Sequence, residues 1–266
     1  MADTTPLILI TNDDGYAAKG INTLIEVARE MGDVIVMAPE VNASAKSHSL
    51  TTAMPLRARQ MWSAGRQQRD GRLLNTVTVY ACNGTPTDCV KLGAEHFTPR
   101  RPDLVLSGIN HGSNASINVI YSGTIGAALE AVTNGYAAIG FSLLDHHADA
   151  DFTPCLPYVR QLVQYVLANG LPDRVGLNVN FPRATHAPYK GVKVCRSAQA
   201  SWTDSFERRD DPHGQPYWWL TGTFVCNDNV PDTDQWALEH DYVSVVPLRP
   251  DYTDHQAINL LKPLEQ

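Results

Sequence analysis

Residues Pro6 to Gly15 read PLILITNDDG. The unbroken apolar run Leu7 to Ile10, closed at once by Thr-Asn-Asp-Asp-Gly, has the form of a strand buried on both faces that ends in a turn. The next segment changes period. From Lys19 to Gly32 the apolar residues Ile21, Leu24, Ile25, Ala28 and Met31 recur every three or four positions, which predicts an amphipathic helix stopped by Gly32. Val34 to Ala38 is a second apolar run, ending at Pro39 and followed by a polar stretch, Asn42 to Ser49.

The same alternation runs on through the chain. Strands are expected at Thr76–Cys82, Asp103–Ser107, Ala137–Leu143 and Val175–Val179, and helices at Pro86–His96, Gly123–Asn134 and Pro157–Asn169. Nearly all-apolar strands alternating with helices predict a mainly parallel, doubly wound Rossmann-like α/β sheet. Right-handed crossovers then bring every loop that leaves a strand for a helix to one edge, where ligands of such sheets bind. After Arg183 the pattern changes. Trp202, Phe206, Tyr217, Trp218 and Trp219 flank a turn-rich Asp-Asp-Pro-His-Gly-Gln-Pro, which predicts an aromatic β-hairpin that either docks on a partner or folds back on its own sheet. One more strand, Asp241–Leu248, and a short helix, Gln256–Leu264, complete the reading. The expected organisation is a catalytic core over residues 1–185 and an arm and oligomerisation region over 186–266.

Composition bounds the function. The 266 residues are 43% hydrophobic and 18% charged, with a formal charge of −7, and the basic residues are scattered. A nucleic-acid polymer is therefore a poor partner. Five cysteines without a CxxC fit reduced thiols better than a disulfide framework. The N-terminal apolar run is too short for a signal peptide and no stretch is long enough to span a membrane, so a cytoplasmic protein is expected. The sequons beginning at Asn42, Asn83 and Asn114 then have no glycosylation role.

Four polar loops follow strands and gather, on this topology, at one edge. Asn12-Asp13-Asp14-Gly15 alone is an ordinary Asx turn, but at the end of a buried strand it concentrates two carboxylates that a cation would offset; hard oxygens suit Mg²⁺ or Mn²⁺. Ser44, Ser47 and Ser49 form either a solvated linker or part of the site. Ser107-Gly108-Ile109-Asn110-His111-Gly112 leads to Tyr121-Ser122-Gly123-Thr124, where Asn110 offers an amide oxygen and Ser122, Gly123 and Thr124 offer hydroxyls and amides at a helix start suited to a phosphate, or a plain N-cap. Gly84-Thr85-Pro86-Thr87-Asp88 is well explained as a capping box.

Competing motifs fail: the chain has no GxxxxGK[ST], GxGxxG or HExxH, and Gly140-Phe141-Ser142-Leu143-Leu144 lacks the last glycine of a nucleophile elbow. Asp228 to Asp234 is no EF-hand loop, since it contains Pro231 and lacks the central glycine; Thr233 or Asp234 reads as a helix cap. His146-His147 reads as a surface loop.

In order and spacing, ITNDDGYAAKGI (10–21), APEVNASAKSHSLT (38–51), NGTPTDCVKLG (83–93), PDLVLSGINHGSN (102–114), IYSGTIGAALEA (120–131), LNVNFP (177–182) and YVSVVPL (242–248) resemble the SurE family, survival protein E, over Leu7 to Leu248. The resemblance implies a metal-dependent phosphatase of nucleoside 5′- and 3′-monophosphates, with some activity on short polyphosphate. It implies metal ligands at Asp13, Asp14, Ser44 and Asn110, and a homodimer or homotetramer joined by swapped C-terminal arms. The chain departs from the family pattern at Ala43, where an arginine is common, at Ser116 and Asn118, where glycine and aspartate are usual, and at Asp241, where glycine is usual.

The reading is thus a phosphomonoesterase with Asp13 and Asp14 as catalytic residues and Asn110, Ser122, Gly123 and Thr124 toward the phosphate. Two rivals stay open: a phosphatase for another small phosphoester such as a sugar phosphate, and a metal- and nucleotide-binding protein without turnover.

Overall fold

The computed structural model describes residues 5–183 and 188–265. In chain order the elements are β1 (Leu7–Thr11), α1 (Lys19–Ala28), β2 (Asp33–Pro39), β3 (Ala58–Ala64), β4 (Gln67–Arg69), β5 (Arg72–Leu74), β6 (Val77–Cys82), α2 (Pro86–Leu92), β7 (Leu104–His111), α3 (Gly123–Thr133), β8 (Ala138–Leu143), α4 (Leu156–Asn169), β9 (Gly176–Phe181), β10 (Gly191–Val194), β11 (Ala200–Asp210), β12 (Pro216–Cys226), α5 (Asp234–Glu239), β13 (Tyr242–Leu248) and α6 (His255–Leu261).

Among the described residues one nine-stranded sheet runs β10-β13-β9-β8-β7-β1-β2-β6-β3. β6, β2, β1, β7, β8 and β9 are mutually parallel, and β3 and β13 pair antiparallel with β6 and β9. The expected doubly wound α/β sheet is therefore present. Its order reverses between β1 and β7: from β1 the chain steps outward through β2 and β6, then returns to β7 and steps the other way. A crevice opens at such a reversal, outside the carboxyl ends of the strands.

Strand alternation explains why both faces are covered. Ile8 and Ile10 of β1 enter a core with Ile21, Leu24 and Ile25 of α1 and Val159 and Val163 of α4, whereas Leu9 enters a second core with Val90 of α2 and Ala127 and Ala131 of α3. Each central strand thus loses apolar surface to helices on both sides, at about 25 cal/mol per Å². Truncating such a residue to Ala costs about 2 to 5 kcal/mol.

The structure differs from the sequence reading in three places. The helix beginning at Pro86 changes at Gly93 into a wider π-helical turn, Gly93–Phe97, which seats Phe97 edge-on to Tyr80 at 4.8 Å. Residues 58–74, given no element above, form the edge strand β3 and the small β4–β5 hairpin. The last strand, read above without a partner, is inserted into the sheet and not added at its edge: β13 lies between β9 and β10, antiparallel to β9. The boundary placed at 185/186 lies outside the described residues.

The aromatic segment is a two-stranded hairpin, β11–β12, paired from Ala200↔Cys226 to Asp210↔Pro216. Phe206, Trp218 and Leu220 stand on one face, 65%, 55% and 66% exposed. Among the described residues, no helix is long and apolar enough to cross a membrane.

Candidate active site

The carboxyl end of β1 carries Asn12, Asp13 and Asp14, and that of the adjacent β7 carries Asn110. Asn12 shapes the turn, donating from Nδ2 to Gly15 O at 2.9 Å. Asp13 is 3% exposed. Its Oδ1 accepts the Thr124 hydroxyl at 2.5 Å, and its backbone carbonyl accepts the Ala43 amide at 2.7 Å, which brings the second loop beside the first. Burial raises the Asp13 carboxyl from 3.8 to about 6; the Thr124 bond opposes this, and the neighbouring Asp14 adds to it. Asp14 accepts the His111 amide on Oδ2 at 3.2 Å, and burial raises its carboxyl as well.

Glycine at 123 is a steric requirement. A Cβ there would lie 2.9 Å from Asp13 Cβ and 3.0 Å from Asp13 Oδ2, so the start of α3 approaches the carboxylate as only glycine allows. Gly108 serves a similar purpose on β7. It has φ +119°, and a Cβ would meet Phe141 O at 2.3 Å, at the point where the β7–β8 register shifts between Ser107 and Asn110. That shift places Asn110 at the cavity. Asn110 Nδ2 donates to Gly112 O at 3.0 Å, which leaves its amide oxygen as the group it offers.

Asp13, Ser44, Asn110 and Ser122 line one cavity of about 560 Å³ with Asn118, Trp202 and others. Ser122 caps α3, its Oγ accepting the Ile125 amide at 3.0 Å. Gly123 offers its amide, one of the four that helix geometry leaves without an intrahelical acceptor. Thr124 is buried with its hydroxyl on Asp13, so the structure places it beside the carboxylate.

Not every serine of the second loop faces the cavity. Ser47 Oγ donates to Ile120 O at 2.6 Å and its amide to Tyr121 O at 3.2 Å, while Ser49 O accepts the Thr85 hydroxyl at 2.7 Å. These two serines tie the loop to its neighbours and Ser44 is left to the cavity. The fourth loop is the expected capping box, Thr85 and Asp88 bonding reciprocally, and Asp88 lines a separate cavity.

The sequence reading missed the supports of the third loop. Asn180 Oδ1 accepts the Asn114 amide at 2.9 Å, Asn178 Nδ2 donates to Asn114 O at 2.9 Å, and Asn114 Nδ2 donates to Ser142 Oγ at 2.8 Å, all buried. Asn178 and Asn180 share one face of β9, which is what the spacing in LNVNFP provides. Ser116, at φ +54°, takes a left-handed backbone usually left to glycine, and buried Asp234 holds it there, accepting its amide at 2.7 Å and its hydroxyl at 2.9 Å. Asp241 likewise has φ +66°. The Thr233 cap is as expected, its Oγ1 accepting the Trp236 amide.

The residues expected to hold a cation, Asp13, Asp14, Ser44 and Asn110, offer two carboxylates, a hydroxyl and an amide carbonyl, and His111 and His146 also line the cavity. Nearby, Asn12 Oδ1 and Ser107 Oγ are buried without a protein partner. Among the described residues no three or more His, Cys, Asp or Glu gather in a metal-binding group. Two desolvated carboxylates raised by burial, with neutral oxygens beside them, fit a hard divalent cation.

Comparison with known proteins shows the family. The model of the family described as survival protein SurE matches residues 8–204. The chain belongs to the SurE family. It is 49% identical over 256 residues to a protein named 5′-nucleotidase SurE from Flavobacterium psychrophilum, covering 96% of each chain. It is 50% identical over 253 residues to the one from Christiangramia forsetii, covering 95% of this chain and 94% of the relative. The crystal structure of the SurE protein from Aquifex aeolicus superposes with a TM-score of 0.79 at 35% identity, covering 98% of this chain and 100% of that one.

Proposed function

We propose that this SurE-family chain is a nucleotidase: it hydrolyses the phosphomonoester of nucleoside 5′- and 3′-monophosphates, and short polyphosphate to a lesser degree, with Mg²⁺ or Mn²⁺ as its cation. The observation that carries the reading is the carboxylate pair at the reversal of strand order: buried Asp13, which shares a cavity with Ser44, Asn110 and Ser122, and half-buried Asp14 beside it. The names of its relatives support the substrate class.

In this reading Asp13, Asp14, Ser44 and Asn110 hold the cation. When bound, a divalent cation neutralises charge that develops on the phosphoryl oxygens and makes a water a stronger nucleophile near neutral pH. The protein supplies the rest. The Gly123 amide and the N-terminal end of α3 receive a phosphate oxygen, and Ser122 keeps that end of the helix capped. Thr124 fixes the rotamer of Asp13. Asp13 or Asp14 orients the attacking water by accepting its hydrogen bond. No cysteine or histidine nucleophile is needed.

We further propose that residues 186–266 join copies into a homodimer or homotetramer. A long two-stranded hairpin is marginal by itself, and its apolar side chains here are exposed. The reading places the enzyme in the cytoplasm, with a small nucleotide as its partner and neither a nucleic-acid polymer nor a membrane. Phosphate release from a panel of nucleotides and sugar phosphates, with and without chelator, tests it. Equal turnover of sugar phosphates, or none of either, would refute the substrate assignment.

A further inference from the structure

Trp202 stands apart from the other aromatics of the hairpin. It lies at the root of β11, opposite Phe224 of β12, and both side chains line the cavity that holds Asp13, Ser44 and Asn110. Its indole Nε1–H donates to Asn118 Oδ1 at 2.8 Å, and Phe224 meets it edge-on, centroids 5.6 Å apart at 68°. These contacts hold the ring by its edge and by one neighbour, yet the side chain remains 42% exposed. An indole held so firmly and left partly open to a ligand cavity is a prepared flat surface.

Asn118 belongs to the 3₁₀ segment Ser116–Tyr121, which runs directly into Ser122 at the start of α3. The segment that orients the indole therefore ends where the phosphate is received. Its acceptor is a neutral amide oxygen, so fixing the indole adds no negative charge beside an anionic substrate. A cavity of about 560 Å³ has room for more than a phosphate.

We propose that Trp202 is the platform on which the base of a nucleoside monophosphate stacks, and that Asn118 is a positioning residue that sets its angle. The inference rests on the nucleotidase reading and adds to it the means of telling a nucleotide from a phosphate ester without a base. Every base presents a π-face, so the platform selects for a base without choosing among bases.

The test compares kcat/KM for AMP with kcat/KM for ribose 5-phosphate. Loss of base–aromatic stacking in Trp202→Ala should lower the ratio of the two about 10- to 100-fold, mostly through KM for AMP. Trp202→Phe should recover most of the ratio, and Asn118→Leu, which keeps the indole but frees it, should give a smaller drop. A structural role at the hairpin root would lower both substrates alike; an unchanged ratio in Trp202→Ala and Asn118→Leu overturns the platform and leaves the nucleotidase reading standing. A parent enzyme that hydrolyses ribose 5-phosphate as efficiently as AMP overturns both.

Discussion

Thr124 and Asp13 are joined by a buried hydrogen bond of 2.5 Å that ties the first turn of α3 to the end of β1. Bonds to charged acceptors are worth about 1.5 to 3 kcal/mol, so Thr124→Val, which keeps the shape and loses the hydroxyl, should lower turnover about 10- to 100-fold. Thr124→Ser should retain most of it. Steady-state kinetics on both variants check this; normal turnover in Thr124→Val would make the bond a structural detail.

Burial raises the Asp13 carboxyl from 3.8 to about 6. For an acid, a raised value means that its ionised form is disfavoured in the folded chain. The stability it contributes in the metal-free protein is complete below the ordinary carboxylate range and is lost as pH rises through about 6. The loss amounts to about 3 kcal/mol. Asp13→Asn should therefore abolish catalysis while making the metal-free protein more stable above about pH 7, with a flatter profile. Denaturant melts across pH measure it.

Glu130 responds to pH with the opposite sign. Its carboxylate accepts from His48, Lys91 and Asn134, and the His48 bond above all draws it from 4.5 to about 2. The stability it contributes is present above its ordinary value and is lost as pH falls through about 2. Because His48 closes the loop that carries Ser44, Glu130→Gln should destabilise the chain near neutral pH and flatten its acid denaturation. An acid limb identical to the parent's would show that the bond is dispensable.

The cation prediction follows from the donors. Activity should vanish with chelator and return with Mn²⁺ or Mg²⁺, since every proposed ligand is a hard oxygen. Recovery with Zn²⁺ alone would contradict the ligand set.

Assembly should depend on the exposed face of the hairpin. Replacing Phe206, Trp218 and Leu220 together by serine should shift the sedimentation coefficient toward a smaller species without moving the fold's circular dichroism, since none of the three is buried in the described chain. A parent protein that sediments as a monomer would already refute the proposed assembly.

Much of this was legible in the sequence because local rules and the fold agree. The run Leu7–Ile10, closed at once by a turn, reads as a strand covered on both faces, and the parallel order then gathers the loops that carry Asp13, Ser44 and Asn110 at one edge. What was not legible depended on long-range partners. β3, with Arg59, Gln60 and Ser63, has an edge strand's mixed composition and shows no alternation to read. Thr124 looked like a phosphate ligand because nothing in the sequence brings Asp13 within reach of its hydroxyl. Trp202 was one aromatic among several until Asn118, 84 residues earlier, was found to hold it.

Ala200 and Cys226 face each other as the innermost rung of the β11–β12 ladder. The chain therefore leaves the body of the protein and re-enters it at nearly the same point, and the whole excursion has the form of a detachable insert. A tight turn joining the flanks of that rung would remove the hairpin without asking β10, α5 or β13 to move. The proposed roles of the arm, in assembly and in base stacking, would then be removable in one step while the strand ends that carry Asp13 and Asn110 are retained, so that in this architecture gaining or losing the arm is a matter of a single insertion.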